Sequence, residues 1–218
     1  MSYSASIKTA LFVSLLLCVN TTWAQTQDPE KPKLNAKFYY IHEGKIVDGW
    51  SLNVGDPANW STPIVDRKGK SASGKVAVEP SDFKKKNDAI TVTWNSRSDE
   101  KGTLAIYGAD IDLSTAENTA VLVIDMKVEV SPNKEVEIGM GCTYPCQGVV
   151  NMGKPLKKLE KDKWQSLPIP LNCLTKAGLD LKKVNGPIII STEGKMTLSI
   201  TSIHLEKLQE GDASCAEK

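Results

Sequence analysis

The chain has 218 residues, with 27 basic and 26 acidic side chains, 40% hydrophobic and 24% charged residues and a formal charge of +1. That balance excludes a disordered chain and a helical membrane bundle, and is that of a globular protein. With only His42 and His204 present, a three-histidine metal site cannot be built within one chain, and histidine-based acid–base catalysis has little to work with.

The chain begins with Lys8 ahead of the apolar run Ala10 to Val19, then Thr22-Trp23-Ala24, the pattern of a secretory signal peptide over residues 1–24, cleaved after Ala24. The run is about half of the roughly 20 residues needed to cross a bilayer, and no later stretch approaches that length, so no transmembrane segment is predicted. Cys18 is a poor lipidation site because Leu17 stands where a small residue is wanted. The expected location is the periplasm or the extracellular medium. Lys8 leaves with this segment and no acid does, which brings the formal charge to zero. Nucleic acid is therefore not an expected partner: Lys84-Lys85-Lys86, Lys157-Lys158 and Lys182-Lys183 have acids nearby and no interleaved arginines and aromatics.

Residues 25–36 are polar with two prolines and read as an N-terminal linker; residues 209–218 read as a polar tail. Between them, residues 37–208 carry no linker composition and no internal repeat, which predicts a single domain. Its pattern is of period two. Strands are predicted at Phe38 to His42, Lys45 to Val54, Val76 to Val78, Ile90 to Trp94, Thr103 to Tyr107, Val121 to Val130, Val136 to Met140, Trp164 to Leu171, Pro187 to Thr192 and Met196 to Ile200. Val121-Leu122-Val123-Ile124 is continuously apolar, as in a central strand. After Ile200 the apolar phase slips by one to Ile203 and Leu205, which predicts a bulge near Thr201-Ser202. One short helix is predicted, Leu174 to Leu181. Many strands and almost no helix describe an all-β, antiparallel sandwich.

With Cys18 removed, four cysteines remain in an exported chain, where disulfides persist. Cys142 and Cys146 flank the tight turn Thr143-Tyr144-Pro145, which leaves Cys173 and Cys215 as the second pair. Chain-entropy estimates give about 2 kcal/mol for the short loop and about 4 kcal/mol for the long one. A four-cysteine zinc site is the rival reading, but the C-x-x-C spacing is missing.

The serine nucleophile elbow, the P-loop, the dinucleotide loop and the zincin motif are absent. Gly69-Lys70-Ser71 lacks the opening glycine of a P-loop, and His42-Glu43 has no second histidine at position 46. No loop has a calcium-binding signature, so no cofactor is predicted; structural calcium stays open. A carboxylate pair for glycan cleavage is assembled by folding and is not legible here.

Aromatic side chains are the better lead, because neutral ligands such as sugars need flat apolar rings beside hydrogen-bonding groups. Trp94 shares a strand face with Ile90 and Val92, and Trp164 shares one with Ser166 and Pro168 ahead of an apolar run; both are expected in the core. Trp60, in the turn-rich Gly55 to Pro63 segment, and Tyr144, held between two cysteines, are the candidate platforms. Polar partners are available in Asn59, Asp88, Asn95, Gln147 and Asn151. One ring face hiding about 50 Å² contributes about 1.3 kcal/mol, whereas millimolar binding requires about 4 kcal/mol. Two or three rings are needed, and weak binding is the expected regime.

Four segments, taken together, carry a resemblance. They are Asp48-Gly49-Trp50-Ser51-Leu52-Asn53-Val54, Asn87-Asp88-Ala89-Ile90-Thr91-Val92-Thr93-Trp94, GMGCTYPCQGVVNM from Gly139 to Met152, and KWQSLPIPLNCLTKAGLDL from Lys163 to Leu181. In order, over residues 44 to 207, they resemble the ExoP-type C-terminal domain. This galactose-binding-domain-like sandwich is appended to bacterial exo-β-glucanases of glycoside hydrolase family 3. Asn87 stands where that pattern has glutamine, Thr143 where glycine is usual, and Cys215 lies outside the matching region. The resemblance implies a jelly-roll β-sandwich with an accessory role. No segment of these residues corresponds to the family 3 barrel, so no catalytic residue is carried over. The expected function is an exported, noncatalytic module that binds a β-glucan or a related cell-envelope glycan. The alternatives are a structural or protein-interaction sandwich with a protein partner, and a small glycan-active enzyme.

Overall fold

A computed structural model of the chain describes residues 34–96 and 99–209. Among these residues fourteen strands form: β1 Tyr39–His42, β2 Lys45–Ile46, β3 Trp50–Asp56, β4 Asn59–Pro63, β5 Gly69–Lys70, β6 Val76–Ser81, β7 Ala89–Trp94, β8 Gly102–Gly108, β9 Ala120–Val130, β10 Val136–Cys142, β11 Gln147–Asn151, β12 Trp164–Pro170, β13 Val184–Thr192 and β14 Met196–Lys207. They make two sheets. One has the order β12-β9-β14-β7-β6-β5, with β1 added beside β14 and β2 beside β1; the other has the order β11-β10-β13-β8-β3-β4. Every pairing between these strands is antiparallel.

Alternation decides which side chains fill the space between the sheets. Along β9, Leu122, Ile124, Met126 and Val128 join the core, while Asp125, Lys127 and Glu129 lie on the other face. The continuous apolar start of β9 fits its place between β12 and β14. On the facing sheet, Ile138 and Met140 of β10, Ile188 and Ile190 of β13, Leu104 and Ile106 of β8, and Leu52 and Val54 of β3 complete the core. Trp94 lies among them, 1% exposed, its Nε1–H donating to the Gly102 carbonyl at 3.0 Å.

The bulge predicted after Ile200 is present as a register shift between Ile200 and Ser202 against β9. Its cause is visible at Thr201, whose carbonyl accepts the Gly44 N–H at 2.8 Å and whose hydroxyl donates to the Asp88 carbonyl at 2.8 Å. The stretch read as one strand from Lys45 to Val54 is divided by the Asp48-Gly49 turn into β2 and β3. The short strands β4, β5 and β11 escape the alternation rule. They are edge or two-residue strands, and β4 is exposed or half-exposed along its whole length.

The prediction of one short helix is corrected. Among the described residues two α-helices are present, α1 Gly153–Lys158 and α2 Leu171–Lys176, with 3₁₀ turns at Ser114–Ala116 and Leu181–Lys183. The helix assigned to Leu174 to Leu181 starts earlier because Pro170 immediately precedes it, where a missing N–H costs nothing. It stops at Gly178, whose φ of +107° is open to glycine and ends the helix. Asp180 then accepts the Lys182 N–H and starts the 3₁₀ turn.

Residues of the predicted linker also pack on the sandwich. Leu34 and Ala36 pack against the core, and the Ala36 carbonyl accepts Trp50 Nε1–H at 2.9 Å. The predicted signal peptide with its cleavage site, residues 25–33 of the linker, and residues 210–218 of the tail lie outside the described residues. Among the described residues, no helix is long and apolar enough to cross a membrane.

Candidate functional site

The face of the six-stranded sheet turned away from the core can be read row by row from the strand register. The middle row crosses all six strands as Val149, Gly139, Ile189, Ala105, Asn53 and Pro63. The next row towards one end is Asn151, Glu137, Ser191, Thr103 and Gly55. Towards the other end, Gln147 pairs with Gly141, Gly141 with Gly186, and Tyr107 with Ser51. Glycines and an alanine, Gly139, Gly141, Gly186 and Ala105, therefore interrupt the larger side chains on the inner strands of this face.

At the end marked by Tyr107, a cleft of about 380 Å³ opens between Tyr107 of β8, Gly141 of β10, Tyr144 of the β10–β11 turn, Gln147 of β11, and Asn185 and Ile189 of β13. Tyr107 is 40% exposed and Tyr144 94% exposed. Burial pushes the Tyr107 hydroxyl up from its ordinary pKa, so it remains a neutral donor and acceptor at neutral pH. The two rings with the Gln147 and Asn185 amides supply apolar surface and hydrogen-bonding groups without net charge. The opposite end of the face is charged. Lys101 Nζ lies 2.7 Å from a Glu137 oxygen, and Ser191 Oγ donates to Glu137 at 3.3 Å.

The Tyr144 turn is closed by the Cys142–Cys146 disulfide, with Cα atoms 5.0 Å apart. Cys173 is also disulfide-bonded; its expected partner, Cys215, lies outside the described residues.

Trp60 is 70% exposed, but it belongs to strand β4, not to a loop. The Gly55 position explains why: a Cβ there would collide with the Trp60 carbonyl, so the edge strand folds close over β3 only because residue 55 is glycine. Replacing Gly55 by alanine is expected to push β4 away, to cost about 1–3 kcal/mol and to alter acrylamide quenching of Trp60. An unchanged melting temperature and quenching constant would refute this. Trp60 on β4 and Tyr144 on the β10–β11 turn stand at opposite edges of the sheet, four to five strand spacings or roughly 20 Å apart across it. The fold does not bring them together, and a short ligand cannot touch both.

The predicted polar partners are also dispersed. Asn59 lies beside Trp60 and its side chain accepts the Ser61 N–H at 3.1 Å. Gln147 is in the Tyr144 cleft. Asp88 belongs to the β6–β7 loop of the other sheet and is 7% exposed. Its carboxylate accepts the N–H groups of Phe83, Lys84 and Lys85 at 2.6, 3.0 and 2.8 Å. Burial pushes the Asp88 carboxyl up, and these three donors outweigh it and hold it below the ordinary range. Asp88 is occupied by its own loop and takes no part in the cleft. Asn95 donates to the Gly74 carbonyl at 3.0 Å, and Asn151 donates to Glu135.

The expectation that Trp164 is a core residue is corrected. It is half-buried on the outer side of β12, its ring 4.5 Å from that of Phe83, with Lys127 Nζ 5.6 Å from its centroid. Strand alternation places it on the same outward face as Lys127, its register partner. The residues missed from the sequence are Tyr107 and Asn185. Tyr107 ends an alternating strand and looked like a strand terminus; its place opposite the small residues of β10 and β13 follows only from the sheet order. Among the described residues, no group of three or more His, Cys, Asp or Glu side chains is placed to hold a metal ion.

Two antiparallel sheets with few helices define a galactose-binding-like β-sandwich. The chain belongs to the Exop_C family, galactose-binding domain-like, whose profile matches residues 48–205. No curated protein matches it in sequence. Among solved structures it is similar to the extra C-terminal domain of an exo-1,3/1,4-beta-glucanase from a Pseudoalteromonas species. The identity is 13% and the TM-score 0.67, covering 83% of this chain and 99% of that one. Against that whole enzyme the match covers 84% of this chain and 22% of the other, at 13% identity and a TM-score of 0.66. It is also similar to a family 30 carbohydrate-binding module from a cellulosomal cellulase of Clostridium thermocellum, with 13% identity, 79% and 98% coverage and a TM-score of 0.53. Such identities show a shared fold.

Proposed function

We propose that this protein is an exported, noncatalytic module that binds a β-glucan or a related cell-envelope glycan weakly on the outer face of its six-stranded sheet. The observation that carries this reading is the Tyr107–Tyr144 cleft, lined by two accessible rings, Gly108 and Gly141, and the amides of Gln147 and Asn185. Sugars present apolar ring faces edged with hydroxyls, and this combination of groups suits them. Similarity in fold to a carbohydrate-binding module and to the extra domain of a glucanase supports the same ligand class. Export is supported by the signal-like N-terminal pattern and by the disulfide.

Burial of every aromatic ring would have left no platform for a sugar, and the exposure of Trp60 and Tyr144 removes that objection. The test is affinity electrophoresis of the mature, oxidised protein through gels containing laminarin, mixed-linkage glucan, xylan or galactan, beside an inert protein. Retardation by a β-glucan is the expected result. Equal mobility in every gel would overturn the glycan reading, and release of soluble sugar from a polymer would overturn the noncatalytic one.

A further inference from the structure

We infer that the Cys142–Cys146 disulfide is the positioning element of the cleft, so that Tyr144 contributes to ligand binding only in the oxidised protein. This rests on the glycan reading of the same cleft. At 94% exposure the Tyr144 side chain has almost no protein surface against it, and the position of its ring is set by its backbone alone. That backbone is a five-residue turn held by two hydrogen bonds, Cys142 N–H to the Cys146 carbonyl at 2.9 Å and Cys146 N–H to the Thr143 carbonyl at 3.2 Å. The covalent clasp adds what these bonds lack. Cys142 is 5% exposed at the end of β10, and its Sγ accepts the Asp180 N–H at 3.3 Å. The disulfide thus ties the tip of the hairpin to the segment that follows α2. A ring carried on a loose hairpin tip must be ordered during binding, and that ordering consumes much of what the ring face contributes.

Reduction of this bond takes up two electrons and two protons, breaks Sγ–Sγ and leaves two thiols, while a dithiol reductant is oxidised to its own disulfide. Because Cys173 is disulfide-bonded as well, a reductant acts on more than one bond, and substitution separates the effects. The experiment is a double-mutant cycle read by laminarin and mixed-linkage glucan affinity. Tyr144→Ala is expected to weaken binding about ninefold in the disulfide-containing protein and less than about twofold in the Cys142→Ser/Cys146→Ser background. Tyr107→Ala is expected to retain its full effect in both. An equal loss from Tyr144→Ala in the two backgrounds would overturn the inference while leaving the glycan reading intact. Should the serine variant lose its folded tryptophan emission, the same comparison is made in a Cys142→Ala/Cys146→Ala background, which places no hydroxyl at the buried Cys142 position, with the same two outcomes. If the unaltered oxidised protein binds neither polymer, the glycan reading falls and this inference falls with it.

Discussion

Replacing Asp56 by alanine is expected to lower the stability of the sandwich by about 3–4 kcal/mol, roughly four hydrogen bonds at about 1 kcal/mol each. Its carboxylate, 1% exposed, accepts the N–H groups of Ala58 and Asn59 at 3.0 and 3.3 Å, and the N–H and hydroxyl of Ser73 at 2.8 and 2.7 Å. One side chain therefore fixes the β3–β4 turn and joins it to the loop between β5 and β6. Alanine leaves these donors unpaired in a part-buried place, and a melting temperature about 10 °C lower follows at the usual slope for a chain of this size. The effect has a pH signature. Burial pushes the Asp56 carboxyl up, but the hydrogen bonds from Ser71, Ser73 and Asn59 more than reverse this and hold it far below the ordinary carboxylate range. A carboxyl whose folded pKa is depressed contributes stability above its unfolded pKa and loses it as pH falls towards the folded value. The difference between the unaltered protein and Asp56→Ala should thus be full at neutral pH and shrink progressively below about pH 4. Urea unfolding at several pH values measures it, and a difference independent of pH would show that charge on Asp56 is irrelevant.

Replacing Tyr107 and Tyr144 together by alanine is expected to abolish measurable glycan binding with little loss of stability. Two ring faces at about 1.3 kcal/mol each amount to about an 80-fold loss, enough to take a millimolar interaction out of range. Both rings are accessible and neither belongs to the core cluster, so the melting temperature should hardly move. Calorimetry with laminarin oligosaccharides reads the first effect and thermal unfolding the second. Trp60→Ala distinguishes short from long ligands: roughly 20 Å from Tyr144 across the sheet, it should leave oligosaccharide binding unchanged and weaken only binding to polymer. Unchanged affinity in the tyrosine double variant would remove the cleft from consideration.

Part of the candidate site was legible in the sequence. Tyr144 and Gln147 could be singled out because a cysteine-bounded turn declares itself locally and its ring has nowhere to hide. Tyr107 could not, since it ends a strand with the same alternation as its neighbours, and its partners Gly141 and Asn185 lie on other strands. Asp88 was misleading for a related reason. A polar residue ahead of a strand reads equally as a ligand group or as the organiser of its own loop, and only its three backbone donors decide between them. Trp164 was misplaced because an aromatic at the start of a strand fits either face until its register partner, Lys127, is known.

Period-two alternation alone determined the fold class, the long strands, the bulge beyond Ile200 and the core positions of Trp94 and the β9 side chains, because one strand carries that information within itself. Cysteine spacing alone determined the short disulfide. What only the tertiary structure decided is the order of the strands, and with it the site. Neighbours in the six-stranded sheet come from distant parts of the chain, β10 beside β13 and β13 beside β8. A cleft built across four of them exists only after those long-range pairings have formed. Burial propensity is written residue by residue along the chain, whereas adjacency across a sheet is a property of the packed whole.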